Sequence, residues 1–143
     1  MLRERKKQFQ IMPHTADVKI RAWGKNYPEL FKNAMLGMMQ ILSPLATKFE
    51  IKNQKSKIKI KVESQNINSL LIDFLNEVLY QTQVNREIYT NIKFLEFSKN
   101  KLVAQLLGSR RAKFSKDIKA VTYHGEGIKK TAEGFKVIVL FDI

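Results

Sequence analysis

The chain has 143 residues, which fits a single domain over 1–143 with residues 1–9 as a basic N-terminal segment. The absence of cysteine excludes disulfides, thiolate metal sites and thiol catalysis, and no apolar run is long enough for a membrane span or a secretory signal, so a cytoplasmic protein is expected. The 26 Lys and Arg against 13 Asp and Glu leave a charge of +13, concentrated at 3–7, 52–61 and 110–119. Such a charge attracts nucleic acid or acidic partners, or simply decorates solvated faces.

Val18 to Trp23 alternates apolar and polar residues and predicts a half-buried strand. A turn at Gly24-Lys25-Asn26 follows, with Pro28 at a helix start. Leu30, Phe31, Ala34, Met35, Met38 and Leu42 then recur at helical spacing, the methionines serving as core filler. The pattern returns forty residues on. Ile58, Ile60 and Val62 make the strand, Asn66 stands where Asn26 did, and Leu70, Leu71, Phe74, Leu75, Val78 and Leu79 make the helical stripe. This reads as an internal strand-turn-helix duplication, with chance similarity of two amphipathic units as the alternative.

Beyond Tyr80 the chain reads as strands. Asn91–Phe97 and Lys101–Leu107 flank a hairpin turn at Ser98-Lys99-Asn100. Gly108 to Asp117 reads as a basic loop, and Ile118 to His124 alternates again. Phe135 to Phe141 is apolar on both faces, which predicts a strand buried inside a sheet. The fold class is α+β: a mainly antiparallel sheet packed with two helices.

The chemistry lies near the two ends. Asp17 begins the first predicted strand, and Asp142-Ile143 follows the last. If the strands are neighbours, Asp17, Asp142 and the terminal carboxylate converge. Two such charges about 4 Å apart repel by roughly 4 kcal/mol at an effective dielectric near 20. A bound cation relieves that, and oxygen-only ligands favour Ca²⁺ or Mg²⁺. The alternative is that Asp17 caps a turn and Asp142 is solvated. His14 and His124 are the two histidines, each a ligand, a base or a structural hydrogen bonder. Lys119 shares a strand face with Val121 and Tyr123, and could meet a carboxylate or a phosphate. No phosphate-binding glycine loop and no catalytic triad spacing stands out.

The stretches His14–Gly24 (HTADVKIRAWG), Pro28-Glu29-Leu30-Phe31 with Asn33-Ala34, Ser69–Tyr80 (SLLIDFLNEVLY), Ile118–Gly125 (IKAVTYHG) and Phe141-Asp142-Ile143 resemble the archease family, from residue 10 onward. The resemblance implies an archease-like fold and a protein activator of the RNA-splicing ligase that joins tRNA halves. Such an activator is not an enzyme itself: it promotes guanylylation of the ligase and its multiple turnover. The resemblance also implies a divalent-metal site of Asp17, Asp142 and the main-chain oxygens of Ile143. The cofactor is Ca²⁺ first, with Mg²⁺ or Mn²⁺ as alternatives. Lys119 matches the lysine implied in ligase activation. A chaperone role toward an RNA methyltransferase is implied for some members. The chain departs from the family pattern in its basic Gly108-Ser109-Arg110-Arg111 and in its overall charge. Two rival functions remain: a basic module contacting tRNA, and a metal-dependent hydrolase using His14 as base.

Overall fold

The computed structural model describes residues 8–13, 17–44, 55–110 and 114–143. Residues 1–7 of the basic segment, His14, Lys48, Lys52 and Arg111 to Lys113 lie outside the described residues. In chain order the elements are β1 (Phe9–Pro13), β2 (Asp17–Gly24), α1 (Tyr27–Leu42), β3 (Ser56–Glu63), α2 (Ile67–Asn85), β4 (Glu87–Phe97), β5 (Lys101–Arg110), β6 (Ala120–Tyr123), β7 (Lys129–Thr131) and β8 (Gly134–Asp142).

The strands form two antiparallel sheets rather than one. The first runs β1-β2-β8-β6, with β7 also paired to β8; the second runs β3-β5-β4. The two helices pack on both sheets. Helix α1 touches β1, β2 and β8 on one side and β4 on the other, while α2 touches β6 on one side and β3 and β4 on the other. A helix wedged between two sheets must be apolar over most of its circumference. Accordingly Leu30, Phe31, Ala34, Met35, Met38, Ile41 and Leu42 of α1 are all buried. The Met residues are core filler, as expected. Phe31 of α1 meets Phe74 of α2 at 5.5 Å and Phe97 of β4 at 5.0 Å, edge-on, joining the helical layer to the second sheet.

The duplicated unit is visible in its caps. The side chains of Asn26 and Asn66 each accept from the backbone N–H three residues on, Glu29 and Ser69, both at 2.9 Å. Both asparagines are extended, and each main-chain oxygen takes the first helical N–H, from Leu30 and Leu70. Pro28 sits in the first turn of α1, where its missing N–H costs nothing. Each helix is also tied back to its strand: Asn33 Nδ2 donates to Trp23 O at 2.6 Å, and Ser64 Oγ donates to Asp73 at 2.5 Å.

Two expectations need correction. Residues 108–110 are not loop: β5 continues to Arg110, and Gly108 pairs with both Ser56 and Tyr89. Gly108 is required there because a Cβ would collide with Ile88 O. Strand β8 lies inside its sheet, as predicted, but is covered on one face only. Val137, Val139 and Phe141 are buried, whereas Ile138 and Leu140 are half-exposed, because both helices of the described residues pack on the inner face.

Candidate functional site at one end of the first sheet

The register of the first sheet decides whether the separated aspartates meet. Asp17 of β2 is the direct cross-strand partner of Asp142 of β8, and Asp142 is in turn the partner of Ala120 of β6. Both aspartates project on the outer face, because their neighbours Val18 and Phe141 are buried on the inner one. Direct partners in antiparallel strands have Cβ atoms about 5 Å apart. Two ionised carboxylates at that spacing repel by about 3 kcal/mol at an effective dielectric near 20. Asp17 is half-buried with its Oδ1 shielded from solvent, while Asp142 is exposed. Ile143 follows at once, half-buried against the core.

Lys119 joins this corner through its backbone. Its N–H donates to Asp142 O at 2.7 Å, immediately before β6 begins. Its placement differs from the sequence expectation: Lys119 precedes the strand and is exposed, whereas Val121 is buried and Tyr123 is largely exposed. Ile118 is fully buried and anchors the segment, which leaves the next side chain, Lys119, facing solvent. Two side chains of α2 hold the same segment. Gln83 Nε2 donates to Ile118 O at 3.2 Å, and Asn76 Nδ2 reaches Val121 O at 3.5 Å. Sequence reasoning missed both residues, because nothing in a helical stripe shows that its polar members face a strand forty residues away.

The donor set suits a hard cation in type but not in number. Among the described residues, no group of three or more His, Cys, Asp or Glu converges. Asp17 and Asp142 supply two carboxylates, and further oxygens would have to come from the main chain, as at Ile143, or from water. Of the two histidines, His14 lies outside the described residues; His124 is exposed at the far end of β6, away from the aspartate pair. Lys57, Lys59 and Lys61 line the exposed face of β3, an edge strand of the second sheet. They carry no aromatic residue among them, so they form no stacking platform for bases.

Comparison with known proteins places the family and the fold. Residues 9–143 match the archease protein family. The chain is 35% identical to the protein archease of Methanosarcina barkeri over 96% of this chain and 97% of that protein. It is 24% identical to an archease-like protein of Dictyostelium discoideum over 96% and 94%. The fold is shared with a solution structure of a Methanobacterium thermoautotrophicum protein (TM-score 0.70, 24% identity, 95% and 99% coverage). It is also shared with a crystal structure from Thermotoga maritima described as an archease, possible chaperone (TM-score 0.62, 20% identity, full coverage of both). The chain therefore belongs to the archease family.

Proposed function

We propose that this protein is a metal-dependent accessory protein that activates an RNA-splicing ligase, promoting guanylylation of the ligase and its multiple turnover. The observation that carries the reading is the row Asp17–Asp142–Ala120, with the Lys119 N–H on Asp142 O. Membership of the archease family supports it. In this reading Asp17, Asp142 and the main-chain oxygens of Ile143 hold a divalent cation, Ca²⁺ first among the candidates. The cation neutralises the two carboxylates and makes the end of the sheet a fixed, charged tip. Lys119, exposed beside that tip, presents its ammonium to the partner. The protein works by ordering a site on another protein, not by supplying a nucleophile, and it is accordingly not an enzyme. Action on tRNA halves implies a cytoplasmic location, and residues 1–143 act as one domain.

The test is a ligation assay with limiting ligase and GTP, run beside calorimetry with Ca²⁺. Addition of the protein should convert single-turnover ligation into multiple turnover. Asp17→Ala and Asp142→Ala should lose both Ca²⁺ binding and stimulation. Lys119→Ala should keep Ca²⁺ binding but lose stimulation. Ligation that is the same with and without the protein would sink the reading. A second reading rests on the family resemblance of the end motifs, which implies a chaperone role toward an RNA methyltransferase; a light-scattering assay of methyltransferase aggregation would test it directly.

A further inference from the structure

The outer face of the first sheet carries a second feature, at a distance from the aspartate corner along β2. The segment between β6 and β7 borders a half-open cleft of about 260 Å³ lined by Arg21, His124, Glu126, Lys129 and Lys136, with Gly125 and Gly127 in its wall. Three adjacent strands deliver the cations. Arg21 of β2 lies opposite Ile138 of β8, and Lys129 of β7 lies opposite Lys136 of β8. Glu126 pairs with Lys129 at 3.1 Å and offsets one charge. Arg21 and Lys136 therefore leave the cleft with a surplus of two positive charges.

The wall is held in place rather than draped. Gly127 has a φ of +84°, and a Cβ there would lie 2.7 Å from Asn68 Oδ1. That same oxygen accepts the Ile128 N–H at 2.8 Å, so the segment is clipped to the first turn of α2. The His124 N–H donates to Ile138 O at 2.9 Å and fixes the other end.

We propose that this cleft is a phosphate-binding site, taking the phosphate groups of a nucleotide or of an RNA strand. Two surplus charges match a phosphate dianion, whereas one carboxylate would neutralise only one of them. The Arg21 guanidinium offers the fork that grips two phosphate oxygens, and Lys136 offers a point charge beside it. The location adds a direction. Arg21 and Asp17 share the outer face of β2 four residues apart, about 14 Å at roughly 3.4 Å per residue. Lys19 stands between them on that face. A phosphate-bearing strand seated in the cleft can therefore run along the sheet toward the aspartate corner.

The experiment is an NMR titration of the full chain in buffer free of divalent ions. The probes are inorganic triphosphate, GTP, a short single-stranded RNA with and without a 5′-phosphate, and a poly-glutamate peptide. Amide shifts should change at Arg21, His124 to Lys129 and Lys136 with the phosphate ligands. Arg21→Gln and Lys136→Gln should each weaken binding about tenfold, while Lys59→Gln on the other sheet leaves it unchanged. A triphosphate that binds as tightly as RNA identifies a nucleotide site; RNA binding without triphosphate binding identifies the strand. Lys136 is exposed, so its variant tests the site even if Arg21→Gln disturbs the sheet. Shifts spread equally over Lys57 to Lys61, tighter binding of poly-glutamate at the same residues, or no shift with any ligand would each overturn the proposal.

Discussion

The two strand-turn-helix units, β2-α1 and β3-α2, are the same device put to different use. Forty residues apart, both units bury the same positions: Ile20 and Ala22 in one, Ile60 and Val62 in the other. Both begin their helices with an asparagine cap of equal geometry. Their outward positions differ in sign at one place: Asp17 stands where the second unit has Lys57, while both units are basic at the other two. Asp17, Lys19 and Arg21 on β2 correspond to Lys57, Lys59 and Lys61 on β3. The reason is placement. Strand β2 lies between β1 and β8, so its outward residues belong to a continuous surface with those of β8. Strand β3 is an edge, where a row of lysines discourages the addition of a further strand. The inward half of each unit answers to a shared helical layer; the outward half answers to its neighbours.

Exchanging the outward residues is the strongest way to break this comparison. Asp17→Lys makes the first unit resemble the second, and should lower both Ca²⁺ affinity and ligase stimulation by at least about 100-fold. Lys57→Asp, the reverse exchange on the edge strand, should leave both within about twofold. Equal losses from the two variants would mean that the aspartate corner has no special part.

The next effect separates the units by their turns. Gly24 is followed so closely by α1 that a Cβ would collide with the backbone of Leu30. Gly24→Ala should therefore cost about 3 kcal/mol in chemical denaturation. The corresponding Ser64→Ala removes only the hydrogen bond to Asp73 and should cost about 1 kcal/mol. The caps should sharpen the likeness instead. Asn26→Ala and Asn66→Ala should each cost about 1 kcal/mol, differing by less than about 0.5 kcal/mol. A larger difference would show that the two helices depend on their caps unequally.

The smallest effect lies just past the second unit. Tyr89 is fully buried; its hydroxyl donates to Glu87 Oε1 at 2.8 Å and accepts from Asn85 Nδ2 at 3.1 Å. Burial, reinforced by Glu87, pushes this phenol above its ordinary value near 10. The unfolded chain then ionises Tyr89 first, so the stability that the neutral phenol contributes is present below pH 10 and fades as the pH rises above it. Tyr89→Phe should cost about 1 kcal/mol at pH 7. That deficit should shrink on going from pH 10 to pH 11; a constant deficit would deny the phenol its raised ionisation.

Much of the scaffold was legible in the chain. Alternating residues marked β2, β3 and β6, an apolar run marked β8, helical stripes marked α1 and α2, and Ser98-Lys99-Asn100 marked the hairpin between β4 and β5. The short strands β1 and β7 were not marked, because three to five residues with mixed polarity carry too little periodicity. Residues 108–110 misled for a different reason: glycine and arginine suit loops by local preference, and only pairing with β3 and β4 holds them extended.

By itself the sequence determined which residues face inward, where each helix starts and that two copies of one unit are present, because those are local consequences of period and capping. It also brought the aspartates to attention through the resemblance of its end motifs to a family. Only the tertiary structure decided that the strands divide into two sheets around the helices. Only the register of β2 on β8 decided that Asp17 stands opposite Asp142, and only β7 folding onto β8 brought Lys129 to Lys136. Those pairings join residues far apart in the chain, and no local preference encodes which strand lies next to which. They follow from burying both faces of the helical layer at once.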